Sequence, residues 1–310
     1  MIITVTLNPA LDKTVTVPNF AVDHVCRVEE ARLDPGGKGI NISNVFSTLG
    51  GRSGAVGIVG GASGEYIRDQ LDVKGIRNDL VFCRAETRTN LKIVDPVRHT
   101  NTDINEPGAP VSIQTLQEVW EKITDLVSAG DTVVFAGKNP PGMADGQLAD
   151  WIGQLKQEGI RVALDTVGMA MKIGVAAGPN VIKPNQAELE ELCETELPEV
   201  PALVAAARKV VANGVEYVVV SMGGDGALFV REEETLWAHG VSVPVGSTVG
   251  AGDSMMASIL YDLERGLSWE EIAARAVAVS AANVMCSGTQ PADPADIAPL
   301  LGQVRVEKLG

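Results

Sequence analysis

Short aliphatic runs recur along the chain, separated by longer stretches that carry apolar residues at helical spacing. The runs fall at residues 55–59, 132–136, 162–165, 180–182 and 217–221. Each is too short for a helix and lacks the polar alternation of a strand with one wet face, which is the pattern of parallel strands buried on both sides. The intervening stretches, 65–74, 112–128, 145–158 and 202–213, read as helices, several ending close to Gly or Asn. Alternation of this kind predicts an α/β fold, with a mostly parallel central sheet flanked by helices on both faces. Ligands of such sheets sit beyond the carboxyl ends of the strands. Asp165, Lys183, Ser221 and the loop before Asp253 fall at or just past such ends.

Two regions break the rhythm. Residues 12–33 contain Thr14-Val15-Thr16-Val17 and Val25-Cys26-Arg27-Val28, and residues 87–105 contain Leu91-Lys92-Ile93-Val94 and Thr100-Asn101-Thr102-Asp103-Ile104. Their period of two predicts half-exposed antiparallel strands. The expected organisation is therefore a large α/β domain of residues 1–11, 34–86 and 106–310, with 12–33 and 87–105 forming a small antiparallel β lid. A lid shuts water out of a site beneath it.

Composition narrows the chemistry. Of 310 residues, 45% are apolar and only 4% aromatic, so the core is large and aliphatic. The net charge of −15 sets a field that repels nucleic acid and anionic membranes. A phosphorylated ligand then needs a local cationic cluster. Cys26, Cys83, Cys193 and Cys286 form no CxxC pair, which points to reduced structural thiols and away from zinc. The N-terminus enters a strand pattern without a signal sequence, and the longest apolar run, 276–285, is interrupted by Ser280 and Asn283. A soluble cytoplasmic protein is expected.

The most informative segment is Ser247-Thr248-Val249-Gly250-Ala251-Gly252-Asp253-Ser254. Its glycines let backbone approach an anion, and the helix predicted to follow offers unpaired N–H groups at its positive end. A carboxylate beside an anion hole repels a ligand phosphate, which is unhelpful for passive binding. It suits a base that takes a proton from a hydroxyl attacking that phosphate. An ordinary glycine loop capped by Asp253 is the plainer alternative. The P-loop, protein-kinase, nucleophile-elbow and HExxH motifs are all missing from the sequence, and His24, His99 and His239 stand alone.

Taken together, Gly36-Gly37-Lys38-Gly39-Ile40-Asn41, Lys183-Pro184-Asn185-Gln186-Ala187-Glu188 and the segment 247–254 make the chain resemble the PfkB family of carbohydrate kinases over essentially its whole length. The resemblance implies the ribokinase-like fold, with ATP and Mg²⁺ as cofactors. It gives Asp253 the role of catalytic base, places Gly250, Ala251 and Gly252 with it in the catalytic loop, and sets the amides of Ala251, Gly252 and Asp253 around the moving phosphoryl group. Asn185 and Glu188 become the magnesium pair, although the same pair reads as a helix cap with an acidic first turn. Lys183, Asn185, Ser221, Gly223, Gly226, Thr248, Gly250, Val277 and Ala281 are assigned to the nucleotide. Asp12, Gly36, Gly37, Lys38, Gly39 and Asn41 are assigned to the sugar.

Arg88, Asn90 and Lys92 alternate along one face of a lid strand, and with Arg27 they supply cations for a sugar phosphate. Lys138 stands where relatives commonly carry a serine, and either reaches the substrate phosphate or turns outward. The opening Thr6-Leu7-Asn8-Pro9-Ala10-Leu11-Asp12 narrows the resemblance to the branch of the family that acts on sugar phosphates, and the segment 102–108 is more similar to the fructose 1-phosphate enzymes of that branch, which implies fructose 1-phosphate as acceptor, phosphorylated at its 6-hydroxyl. Tagatose 6-phosphate, taken at its 1-hydroxyl, is the alternative acceptor, and a non-catalytic sugar-phosphate sensor is the alternative class. Relatives further imply a homodimer joined through the lids.

Overall fold

The computed structural model describes residues 1–286 and 288–309. In chain order its strands are β1 (Ile2–Thr6), β2 (Ala10–Thr16), β3 (Glu30–Gly36), β4 (Ser53–Val59), β5 (Arg77–Asn78), β6 (Val81–Phe82), β7 (Thr89–Asp95), β8 (Thr100–Asn105), β9 (Thr132–Ala136), β10 (Arg161–Asp165), β11 (Val181–Ile182), β12 (Tyr217–Ser221), β13 (Gly226–Arg231), β14 (Glu234–His239) and β15 (Val306–Leu309). The helices are α1 (Lys38–Thr48), α2 (Gly61–Val73), α3 (Ile113–Leu126), α4 (Gln147–Gln157), α5 (Gly168–Ala176), α6 (Gln186–Cys193), α7 (Val200–Ala212), α8 (Ala251–Glu264), α9 (Trp269–Val284) and α10 (Pro294–Leu301).

The main sheet runs β15-β14-β13-β12-β11-β10-β9-β1-β4-β5, with β6 also on β4. Pairing is parallel from β12 to β5 and antiparallel across β12, β13, β14 and β15. From β1 the chain winds outward to β4 and β5, then returns to β9 and winds the other way. The reversal opens a crevice at the carboxyl ends of the central strands. One face of the sheet packs on α3, α4, α6 and α7 through residues such as Val119, Ile152, Leu189 and Ala207. The other packs on α1, α8, α9 and α10 through Phe46, Met256, Ala276 and Leu300.

The predicted buried strands are all present, because both of their faces are covered and aliphatic runs suit that environment. The antiparallel edge β13-β14-β15 was not expected. Its strands carry Arg231, Glu234 and Lys308, which pair with one another across the edge and interrupt the apolar pattern.

The lid is a four-stranded sheet in the order β3-β2-β7-β8. Pairing is antiparallel within each predicted segment, and the two segments meet through the parallel pair β2 and β7. One strand lies elsewhere than expected. Residues 25–28 are loop, with Val25 91% exposed, and the partner of β2 is Glu30–Gly36. The alternation at 25–28 mimics a strand but has no surface to pack on, whereas β3 pairs with β2 along its whole length and reaches the buried Gly36.

Candidate active site

Asp165 closes β10 and is fully buried between two ammonium groups. Its Oδ1 accepts from Lys38 Nζ at 2.6 Å, and its Oδ2 faces Lys183 Nζ at 3.2 Å. Lys38 opens α1 and Lys183 follows β11, so one carboxylate ties the sugar-side motif to the nucleotide-side motif. Burial alone would push the Asp165 pKa up, but Lys183 and Lys38 outweigh it and hold the carboxyl below its ordinary value. Burial likewise opposes the charge on Lys38, and the fields of Asp165 and Asp253 reverse this and raise its pKa.

Asp253 lies in the first turn of α8 and is 6% exposed. Asn41 Nδ2 from α1 donates to its Oδ2 at 2.7 Å. Burial, then the neighbouring Asp165 charge, raises the Asp253 pKa to about 6, against the pull of Lys38, Asn41 and Lys183. A carboxylate at that value is ionised near neutrality and still basic enough to hold a proton in transit.

The start of α8 is built for an anion. Gly250 turns the chain with φ 83° and ψ −8°, a left-handed conformation that a side chain would strain. No side chain caps the helix, and the Ala251 amide reaches the Thr248 carbonyl only at 3.5 Å. Lys183 comes close enough that a Cβ at Gly252 would sit 3.1 Å from its Nζ. A lysine and the positive end of a helix dipole repel each other unless an anion lies between them.

Two cavities meet at this loop. One, of about 550 Å³, is lined by Ser221, Gly223, Gly226, Thr248, Val277 and Ala281, together with Ala251 and Gly252. Six of the residues assigned to the nucleotide therefore share one hollow of a size suited to a small molecule. The strip from Gly240 to Val245, whose Val241 and Val243 add apolar wall, was not singled out from sequence. Its valines at 241, 243 and 245 alternate as in a strand, but Pro244 interrupts the run and the strip forms no regular strand. Ser221 to Gly226 is at once the turn between β12 and β13 and part of the cavity wall.

The second cavity, of about 230 Å³, lies between the lid and the same loop. Asp12, Asn90 and Lys92 line it, opposite Val249. Asn90 Nδ2 donates to Asp12 Oδ1 at 2.8 Å, and the Asp12 carboxyl lies so close over Gly36 that any side chain there would collide with it. Gly37 forms the N-cap of α1, and Gly39 packs against Thr6 and Val5 of β1. Asp34 and Asp103 add further carboxylates on the lid side and were not among the sequence candidates.

Other assigned residues take different places. Arg88 is engaged at the hinge: its guanidinium donates to the carbonyls of Asn8, Pro9 and Glu106 and to Asn90 Oδ1. Arg27 sits in the exposed loop before β3, and Lys138 is exposed beyond the end of β9. Asn185 and Glu188 form a reciprocal capping box at the start of α6, each side chain 2.9 Å from the other's backbone N–H.

For a divalent cation, the described residues hold no group of three or more acidic, His or Cys side chains. Mg²⁺ that takes most of its ligands from water and phosphate does not require such a group. Glu188 keeps one oxygen outside the cap, and its field reaches Lys38. Asp165 was noted from sequence only as a strand end. A lone Asp closing an aliphatic run was the available signal.

A buried carboxylate in the first turn of a helix with no side-chain cap, whose start borders a nucleotide-sized hollow and a smaller polar one, suits a kinase that phosphorylates an alcohol. The chain matches the model of the pfkB family carbohydrate kinases over residues 5–296, and it belongs to that family. It is 37% identical to a 1-phosphofructokinase of Rhodobacter capsulatus over 309 residues, covering 99% of this chain and 98% of that one. It is 31% identical to a tagatose-6-phosphate kinase of Staphylococcus epidermidis, with 92% of each chain covered. Its fold matches the crystal structure of phosphofructokinase-2 from Escherichia coli in complex with substrates and products, with a TM-score of 0.94, 30% identity, and 97% of this chain and 98% of that one covered.

Proposed function

We propose that this carbohydrate kinase transfers the γ-phosphoryl group of ATP to the 6-hydroxyl of D-fructose 1-phosphate, giving fructose 1,6-bisphosphate and ADP. The observation that supports the chemistry is the position of Asp253, buried in the first turn of α8 directly after Ala251 and Gly252, which line one cavity, and close in sequence to Val249, which lines the other. The acceptor rests on relatives named 1-phosphofructokinase, 37% identical in Rhodobacter capsulatus and 34% in Haemophilus influenzae, each across nearly the whole chain.

The hydroxyl proton passes to Asp253 as the acceptor oxygen bonds to the γ-phosphorus and the bond to the β–γ bridging oxygen breaks. Amides of Ala251, Gly252 and Asp253, with Lys183, stabilise charge on the oxygens in flight. Asp12, Asn90 and Gly36 orient the sugar hydroxyls, and Lys92 supplies positive charge for its phosphate. Asn41 and Lys38 hold Asp253 ionised and aimed. Mg²⁺, when bound, neutralises charge on the β and γ phosphates, with Glu188 and Asn185 holding its water shell.

The lids favour a homodimer. Val22, Val25, Val28, Leu33 and Ile104 are all at least 40% exposed there, a concentration of apolar surface that a second copy would cover. A cytoplasmic location suits four unpaired cysteines and an ATP-dependent reaction. No helix among the described residues is long and apolar enough to cross a membrane.

The test is ADP release with Mg²⁺ and ATP against fructose 1-phosphate, fructose 6-phosphate, tagatose 6-phosphate and unphosphorylated sugars. Fructose 1-phosphate should give the highest kcat/KM. Preference for tagatose 6-phosphate would reassign the acceptor, and tight binding without turnover would mark a sensor.

A further inference from the structure

At the opposite end of the sheet from the active site, a cavity of about 570 Å³ opens at the amino ends of β9, β10, β11 and β12. The C-terminal turn of α8 closes it with Leu260, Leu263, Glu264 and Arg265, and Arg161 and Glu216 come from the strand side. Its charges are unevenly satisfied. Glu216 already accepts from Asn180 Nδ2 at 3.1 Å, and Glu264 pairs with the Met1 ammonium at 3.2 Å.

Arg161 and Arg265 have no carboxylate within ion-pair distance among the described residues. Arg265 lies over the Tyr261 ring, 5.1 Å from its centroid, and the nearby Asp262 is taken by Arg275 at 2.8 Å. Two guanidinium groups without a carboxylate partner thus face one hollow on a chain of net charge −15. They provide the forked donors that phosphate oxygens prefer, above an apolar floor.

We propose that this cavity is a second ligand site, which takes a small phosphorylated metabolite between Arg161 and Arg265 and modulates turnover through α8. The helix has 14 residues and spans about 21 Å. It carries Asp253 in its first turn and this cavity at its last. Arg275 of α9 grips it through Asp262, and Asn41 of α1 grips it through Asp253. A ligand that shifts the last turn therefore displaces the base as part of one packed unit.

Phosphoenolpyruvate, which is no sugar and offers no hydroxyl to phosphorylate, serves as the probe. Equilibrium dialysis of labelled phosphoenolpyruvate is run on the full chain with the active site saturated by ADP and fructose 1,6-bisphosphate, and is repeated on Arg161→Gln/Arg265→Gln. Both arginines are exposed, and the unliganded kcat of the double variant serves as the control for folding.

The expected result is one equivalent bound to the wild type under saturation, and affinity lowered about 30-fold or more in the double variant. The probe should also change wild-type kcat and leave that of the variant untouched. Failure to bind at millimolar concentration, equal binding by the variant, or displacement of the probe by the active-site ligands would each overturn the proposal. The dialysis reads binding alone, so it stands or falls separately from the identity of the sugar acceptor.

Discussion

Asp165 and Asp253 are 0% and 6% exposed, whereas Val25 in the lid loop is 91% exposed. At the centre, every charge has a partner arriving from a different element: Lys38 from α1, Lys183 after β11, Asn41 from α1. In the lid, strands stand on a hinge held by one guanidinium and present apolar residues to solvent. The contrast separates two tasks. Phosphoryl transfer needs groups fixed before substrate arrives, because reorganisation would add to the barrier. Recognition and water exclusion need a part that opens, and such parts come from the less buried end of a structure.

The largest predicted effect lies at the centre. Asp253→Asn retains the shape and the contact with Asn41 but cannot take a proton, so kcat should fall about 10³-fold with ligand binding preserved. Single-turnover kinetics and equilibrium binding would show it. A near-normal kcat would remove Asp253 as the base.

Asp165 offers a test of how tightly the centre is coupled. Asp165→Asn leaves the buried Lys183 ammonium and the partly exposed Lys38 ammonium without their anion and should destabilise the fold by about 3 kcal/mol. It also removes a negative charge that raises the Asp253 pKa. In the wild type, Asp253 is protonated below its pKa of about 6 and ionised above it, so as the proposed base it should make kcat rise with pH through that value. In Asp165→Asn the acid limb should move to lower pH, and in Lys38→Met, which removes a favourable cation, to higher pH. Limbs that stay fixed in both variants would show that Asp253 does not sense its neighbours.

How far the sequence alone reached follows the same division. The parallel strands were legible because burial on both faces leaves unbroken aliphatic runs, as at 132–136 and 217–221. The residues assigned to the nucleotide followed from the family resemblance, only part of them marked locally by a glycine-rich turn at a strand end, and six of them share one cavity wall. Asp165 was harder, since its role comes from two lysines 127 and 18 residues away, joined only by the fold. In the lid, the β-branched residues of Val25-Cys26-Arg27-Val28 suggest a strand but meet no partner, while β3 runs through Asp34-Pro35-Gly36, a sequence with little strand character. Arg88 was read as a ligand for phosphate because it is cationic and sits beside Asn90. Local sequence does not show that three carbonyls converge on it.

That hinge yields the smallest and most discriminating prediction. Arg88 joins the crossing from β1 to β2, through Asn8 and Pro9, to the end of β8, through Glu106. It fixes the angle at which Asp12 and Asn90 face the cavity. Arg88→Lys keeps the charge and loses the planar fork, so it cannot hold carbonyls on three sides at once. If Arg88 acts on the hinge, KM for the sugar phosphate should rise about 10-fold with kcat almost unchanged, and unphosphorylated analogues should suffer equally. If its remaining N–H groups instead grip the substrate phosphate, the loss should fall on phosphorylated sugars alone. The comparison between the two acceptor classes decides whether the lid recognises through this arginine or merely stands on it.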